Sequence, residues 1–214
     1  MSGATSDTLS AQGTRLNKRG IESRRRLLAA AIDTLAEEGP AGARANLIAK
    51  RAGVTWGTIQ HQFADTDGVW AAVFDNMTEL LEAADFAPSG TPTSLHERVS
   101  VLIRRQWDGY ARPAARAVEN LRLALPRAQE TLDRDFPRTA AAVARMTEVW
   151  QATWVELFSD LPVSDVTLRR LRILIPAAMR GLRLEADMPG HHDPEEGVRG
   201  LVDAVAAYLE ADAS

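Results

Sequence analysis

Apolar positions recur along most of the chain at intervals of three and four residues, and no segment alternates apolar and polar residues with period two. Leu28, Ile32 and Leu35, with Ala31 and Ala36 beside them, set one apolar stripe on a first helix that Gly39-Pro40 closes. Two short helices are expected over Ala45 to Ala52 and Trp56 to Gln62, separated by a turn at Gly53. A fourth starts near Asp65, runs through Val69, Val73, Met77 and Leu80, and ends before Pro88. The stretch from Pro88 to Thr93 holds two prolines and a glycine, and is the expected junction between two parts of the fold.

Beyond it, Ser94 followed by Glu97 reads as a capping box, because hydroxyl and carboxylate each satisfy an orphan amide at a helix start. Leu95, Val99, Leu102, Gln106 and Tyr110, flanked by Ile103 and Trp107, form the apolar face of that helix. Pro113 and Pro126 bracket a piece in which Val118, Leu121 and Leu125 repeat. A long pattern follows through Val143, Met146, Trp150, Trp154, Leu157 and Phe158, with Pro137 near its start. Another helix spans Ser164 to about Asp187, with Leu168, Leu171, Ile175, Ala178, Met179 and Leu182 apolar, and Pro176 inside it predicts a kink. The last begins at Asp193 and turns Val198, Leu201, Val202, Val205 and Leu209 inward. The expected architecture is all-α, with about nine helices behind a polar tail at residues 1–17 that has no period.

A chain of 214 residues that is 45% hydrophobic can bury a sizeable core. It contains no cysteine, which excludes disulfides and thiolate metal sites. No run of about 18 apolar residues occurs, and residues 1–12 hold no apolar stretch of a secretory signal, so the expected location is the cytoplasm and no membrane partner is expected. Net charge is −4, yet residues 1–60 carry +4 and the remainder −8. A basic head on an acidic body is the asymmetry of a protein that meets phosphates at one end.

Residues 45–63 read ANLIAKRAGVTWGTIQHQF. A two-helix DNA reader needs a small residue where its helices cross, a residue tolerant of positive φ in the turn, and apolar plugs beneath the second helix. Ala49, Gly53 and the set Ile48, Val54, Ile59 and Phe63 supply these in order, and Thr55 stands where the second helix needs an N-cap. An ordinary helical hairpin would need neither the whole pattern nor the basic flank. Gln60 can address adenine through two hydrogen bonds, and Trp56 either packs on a thymine methyl or covers the first helix.

From Arg24 to Val73 the sequence resembles the TetR family of bacterial regulators. The resemblance is carried by RRRLLAAAIDTLAEEG, by IAKRAGVT, by GTIQHQF and by the Asp65-Thr-Asp-Gly-Val69 run. It implies a helix-turn-helix domain over residues 18–64 and a ligand-sensing and dimerisation domain over 65–214, with the helix at 65–87 as connector. It also implies a dimer whose last two helices form a four-helix bundle with the partner, and a palindromic duplex operator from which a small apolar or amphipathic effector releases the protein. No cofactor is expected. Carried over position by position, Trp56, Gly57, Thr58 and Gln60 are expected at base edges or backbone, and His61 and Gln62 at phosphate. The sequence departs from the family at Gln60, Thr66 and Arg44, where tyrosine, lysine and threonine are common. These departures keep open a second reading, a TetR-fold interaction module with altered or lost DNA binding. A basic arm of Arg15, Lys18 and Arg19 can reach phosphates or can be a solvated tail.

Effector contacts are expected from Arg104, Gln106, Trp107, Tyr110, Met146, Trp150, Trp154 and Met179, because pockets between helices are lined by apolar and aromatic side chains with a few polar ones. The last two helices offer wide apolar faces on Leu171, Ile175, Ala178, Leu182, Val198, Leu201, Val202 and Val205, and a homodimer is expected to cover them. The cluster His191, His192, Asp193, Glu195 and Glu196 is the one foothold for a metal-dependent enzyme. Asp193, Pro194 and Glu196 are equally a helix start that needs no metal, so neither catalysis nor a metal is expected.

Overall fold

In the computed structural model, residues 10, 13, 15–42, 44–84, 94–158, 163–189 and 193–212 are described, and among them no strand forms. Ten α-helices follow one another: α1 (Lys18–Glu38), α2 (Ala45–Ala52), α3 (Trp56–Phe63), α4 (Thr66–Glu82), α5 (Leu95–Tyr110), α6 (Pro113–Ala124), α7 (Gln129–Asp135), α8 (Pro137–Leu157), α9 (Asp165–Ala186) and α10 (Pro194–Asp212). The one beyond the expected nine is the short α7, cut off from α8 at Phe136 and Pro137. The junction expected at residues 88–93 and most of the tail expected at 1–17 lie outside the described residues.

Helix starts follow local chemistry. Asn17 Oδ1 accepts from the Gly20 amide at 2.9 Å, so α1 begins three residues before its first isoleucine. Ser94 Oγ accepts from the Glu97 amide at 3.1 Å, and Asp193 Oδ1 from the Glu195 amide at 3.0 Å. Pro113, Pro137 and Pro194 each take the first position of a helix, where the missing N–H costs nothing. Pro176 is buried inside α9, and the helix runs on past it.

Two compact units divide the chain, residues 1–83 with 113–149 and residues 84–112 with 150–214. The first is built on Leu27, Ala31 and Leu35 of α1, Ile48 of α2, Ile59 and Phe63 of α3, Val69, Trp70, Val73 and Phe74 of α4, Ala117 and Leu121 of α6, and Ala142 and Met146 of α8. The second is built on Val99, Leu102 and Ile103 of α5, Trp154 and Phe158, Leu171, Ile175 and Met179 of α9, and Val198, Val202, Val205 and Leu209 of α10. The division expected between residues 64 and 65 is therefore not where the units part, because α4 and α6 pack into the same core as α1.

Candidate functional site

The paired helices α2 and α3 are joined by a tight turn. Gly53 ends α2 at φ 64° and ψ 34°, a left-handed conformation that disfavours a side chain, and its amide bonds back to Lys50. Thr55 then caps α3, its Oγ1 accepting from the Thr58 amide at 3.3 Å. Ile48 and Ile59 are each 1% exposed and lock the two helices onto α1, a burial worth about 1.5–3 kcal/mol per side chain.

Along α3 the residues at 59, 62 and 63 face inward, which leaves Gly57, Gln60 and His61 exposed and Trp56 and Thr58 half-buried. Gln62 was expected on phosphate and is instead only 3% exposed, because it shares the inward face with Ile59 and Phe63. Its backbone carbonyl accepts from Arg24, whose guanidinium also lies 4.2 Å from the Phe63 ring centre. Gly57 is exposed and carries no side chain, which leaves its backbone bare for close approach.

Beside α3 runs a groove of about 640 Å³ lined by Arg44, Ala45, Asn46, Leu47, Lys50, Trp56 and Thr66. Arg44 is the N-cap residue of α2 and makes no capping hydrogen bond with its side chain, which leaves it exposed at this edge. Lys50 and Asn46 were not anticipated as site residues, although IAKRAGVT contains the lysine. Arg51 is engaged elsewhere, with Glu37 at 2.7 Å and Glu38 at 3.3 Å.

The far end of α3 is held from a distant part of the chain. Arg138 donates to the Phe63 carbonyl at 3.1 Å and to Asp65, the residue that caps α4 through the Gly68 amide. Asp67 is 8% exposed and accepts from the Arg138 amide at 3.0 Å, the Arg138 Nε at 3.1 Å, the Thr139 amide at 2.9 Å and the Thr139 hydroxyl at 2.7 Å. Burial pushes this carboxyl up, but the hydrogen bonds from Thr139 and Arg138 outweigh it and hold it below the ordinary aspartate value. Gly68 is required here, since a Cβ would stand 1.9 Å from the Phe63 carbonyl oxygen.

An exposed helix edge with a bare backbone at Gly57, hydrogen-bonding side chains at Gln60 and His61, and two cations in the adjoining groove suits a nucleic-acid duplex. Residues 27–73 match the profile described as bacterial regulatory proteins, tetR family. These residues belong to the TetR family. The chain is thereby a DNA-binding transcriptional regulator with a TetR-like all-α fold. A TetR-family transcriptional regulator from Streptomyces coelicolor has a similar fold, with 22% identity, a TM-score of 0.63, and coverage of 90% of this chain and 97% of that one. A transcriptional regulator from Rhodococcus sp. Rha1 is similar at 21% identity and a TM-score of 0.62, over 88% of this chain and 96% of that one. The fatty acid degradation regulator of Bacillus halodurans is similar at 16% identity and a TM-score of 0.62, over 92% and 96%. No curated protein matches the sequence closely enough to count as a relative.

In the second unit of this TetR-like chain, the expected effector residues fall into three groups. Gln106, Trp107, Trp154 and Met179 are buried, with Tyr110 and Trp150 half-buried beside that core. Trp154 stacks on Phe158 at 5.3 Å and meets Trp150 edge-on at 5.8 Å. Arg104 is half-exposed and faces Glu195 at 3.5 Å, a carboxylate that also accepts from the Trp107 indole at 3.0 Å, so Arg104 does not turn into the core. Met146 belongs to the other unit's core, because α8 changes units after residue 149.

The expected dimer face also needs correction. Leu171, Ile175, Val198, Val202 and Val205 are fully covered within their own chain, with Ala178, Leu182 and Leu201 half-buried, since the most apolar face of each helix serves its own core. The opposite face of α9 presents Val166, Ile173, Ala177 and Leu184 at spacings of seven, four and seven, with Ile173 74% and Leu184 67% exposed. The matching outer face of α10 is small, carrying Gly200, Ala204, Ala207 and Ala211.

The His191 and His192 of the suspected metal cluster lie outside the described residues. Among those described, no group of three potential ligands is placed to hold a metal, and Glu196 pairs with Arg199 at 2.5 Å. No described helix is long and apolar enough to cross a membrane.

Proposed function

We propose that the protein is a homodimeric repressor that binds a palindromic operator and is released by a small apolar or amphipathic ligand. The observation that carries this reading is the exposed edge of α3, with Gly57, Gln60 and His61, running beside a groove lined by Arg44, Lys50 and Thr66. Gln60 reads a base, Thr55 and Thr58 serve the backbone at the helix start, and Arg44, Lys50 and His61 meet phosphates. The lysine common in the family at position 66 is absent, but Arg44 and Lys50 bring positive charge to the same groove as Thr66. That favours retained DNA binding over the interaction-module reading. The outer faces of α9 and α10 suit a four-helix bundle between two copies, with large side chains of α9 set against small residues of α10.

Two such heads spaced about 34–36 Å apart reach successive major grooves, and an effector preferring another spacing lowers operator affinity by its differential affinity for the two states. Selection of duplexes from a random pool tests the reading, with a palindromic consensus as the expected outcome. Gln60→Ala should then relax the preference at one base position and cost about 1–3 kcal/mol there. Uniform weakening across sequences, or no selected consensus, would overturn the assignment of α3.

A further inference from the structure

Among the described residues, the polar atoms that are fully buried without any hydrogen-bond partner include Gln106 Nε2 and Oε1, Trp154 Nε1 and Arg183 Nε, and these four belong to the second unit. Gln106 is 5% exposed and Trp154 is 0% exposed. A buried amide or indole N–H left unpaired costs free energy that native cores rarely tolerate, and such groups call for a specific reason. Gln106 lies on the same α5 face as Val99 and Ile103, which are core residues, so its amide is committed to the interior. Trp154 sits in that same apolar core, stacked on Phe158. Arg183 is on α9, its guanidinium 5.9 Å from the Trp107 ring and 3.8 Å from Asp187, a loose pairing that leaves Nε unused.

The imbalance has a chemical sense. Three of the four orphaned atoms are donors, one of them on a cation, and Gln106 Oε1 is the single acceptor. The core of the same unit holds the flat rings of Trp107, Trp154 and Phe158 with the thioether of Met179, and Trp150 packs against it. We propose that the effector is a flat aromatic carboxylate, whose acid group takes the Gln106 amide, the Trp154 indole N–H and the Arg183 guanidinium while its ring lies against the tryptophans. The proposal rests on the regulator reading for its biological meaning, but the binding itself does not. A carboxylate offers acceptor positions for several donors at once, and donors already stripped of water bind a charged acceptor more strongly than exposed ones. A cationic aromatic ligand would leave every donor unanswered and set its charge against Arg183.

Binding of 2-naphthoate, 2-naphthamide and a naphthylmethyl trimethylammonium ion to the full-length protein tests this, followed by tryptophan fluorescence and by calorimetry. The acid should bind at least about tenfold tighter than the amide, with the cation weakest. Gln106→Leu should weaken the acid by about tenfold or more while leaving the melting midpoint unchanged or a few degrees higher, since it removes an unpaired buried amide. Trp154→Phe should weaken it in the same direction. Equal binding of acid and cation, or an unaltered affinity in Gln106→Leu, would overturn the proposal, as would a large drop in the melting midpoint of that variant. Operator affinity is measured separately in the same samples. Acid binding without operator binding would sink the regulator reading alone, and operator binding without any preference for the acid would sink this one alone.

Discussion

Replacing Asp67 by asparagine tests whether the contact between the start of α8 and the start of α4 holds the α3–α4 corner together. Each carboxylate oxygen of Asp67 accepts two hydrogen bonds, Oδ2 from the Arg138 amide and Nε, and Oδ1 from the Thr139 amide and hydroxyl. Asparagine keeps the shape but has one acceptor, so whichever way its amide turns, one pair of donors faces an NH2 group. A hydrogen bond to a charged group contributes about 1.5–3 kcal/mol, and the Arg138 arm is discounted because its side chain is 43% exposed. The expected loss is about 2–4 kcal/mol, or about 5–15 °C in melting midpoint for a chain of this size. The pH dependence follows from the lowered carboxyl. A depressed folded value means that the contribution is fully present above the unfolded value of about 4 and is lost as the pH falls through the folded value. The gap between wild type and Asp67→Asn should therefore be widest near neutrality and narrow below about pH 4. Melts followed by circular dichroism across that range measure it. A gap under about 2 °C at pH 7, or one that does not change on acidification, would refute the reasoning.

Three further outcomes follow from other parts of the molecule. Gly68→Ala places a Cβ 1.9 Å from the Phe63 carbonyl oxygen, a backbone atom that cannot step aside, so the variant should melt lower than Asp67→Asn or fail to accumulate as folded protein; a wild-type melt contradicts this. Lys50→Ala should weaken binding to all duplexes about equally and reduce the slope of log affinity against log salt by about 1, whereas a sequence-dependent effect would place Lys50 at a base. Ile173→Asp and Leu184→Asp, both on the exposed face of α9, should each give a monomer by light scattering, while Leu123→Asp, 70% exposed on α6, leaves the dimer intact. A dimer that survives both α9 changes would move the interface elsewhere.

Local chemistry in this chain was readable from the sequence wherever its cause lies within a few residues. The Gly53 turn, the Thr55 cap and the prolines at helix starts are fixed by backbone geometry, and each occupies the place its residue type requires. Periodicity also located the faces, but it ranks them only by hydrophobicity. On α9 the richer face went to the chain's own core, and the poorer one of Val166, Ile173, Ala177 and Leu184 was left outside. The same rule explains Gln62. A polar residue three positions after Ile59 and one before Phe63 is carried inward by its neighbours, whatever its own preference for water. Met146 and Trp150 looked equivalent because α8 is one unbroken pattern, and nothing local marks the point where a helix passes from one core to another.

The orientation of α3, by contrast, is set by residues that no local pattern could nominate. Its last turn is gripped on one side by Arg24, which meets the Gln62 carbonyl and the Phe63 ring, and on the other by Arg138, which meets the Phe63 carbonyl. Arg138 is the second residue of α8, and the same side chain and its neighbour Thr139 bind Asp65 and Asp67 at the start of α4. The end of α3, the start of α4 and the start of α8 therefore share one hydrogen-bond network, with a nearly buried carboxylate at its centre. Hydrogen bonds weaken steeply once they stretch beyond about 3.5 Å or bend below about 120°. A rotation or slide of α8 at its first turn must then either drag the α3–α4 corner with it or break the Asp67 contacts at a cost of several hydrogen bonds. The α3–α4 corner is thus hydrogen-bonded to a helix that begins about 75 residues further along the chain.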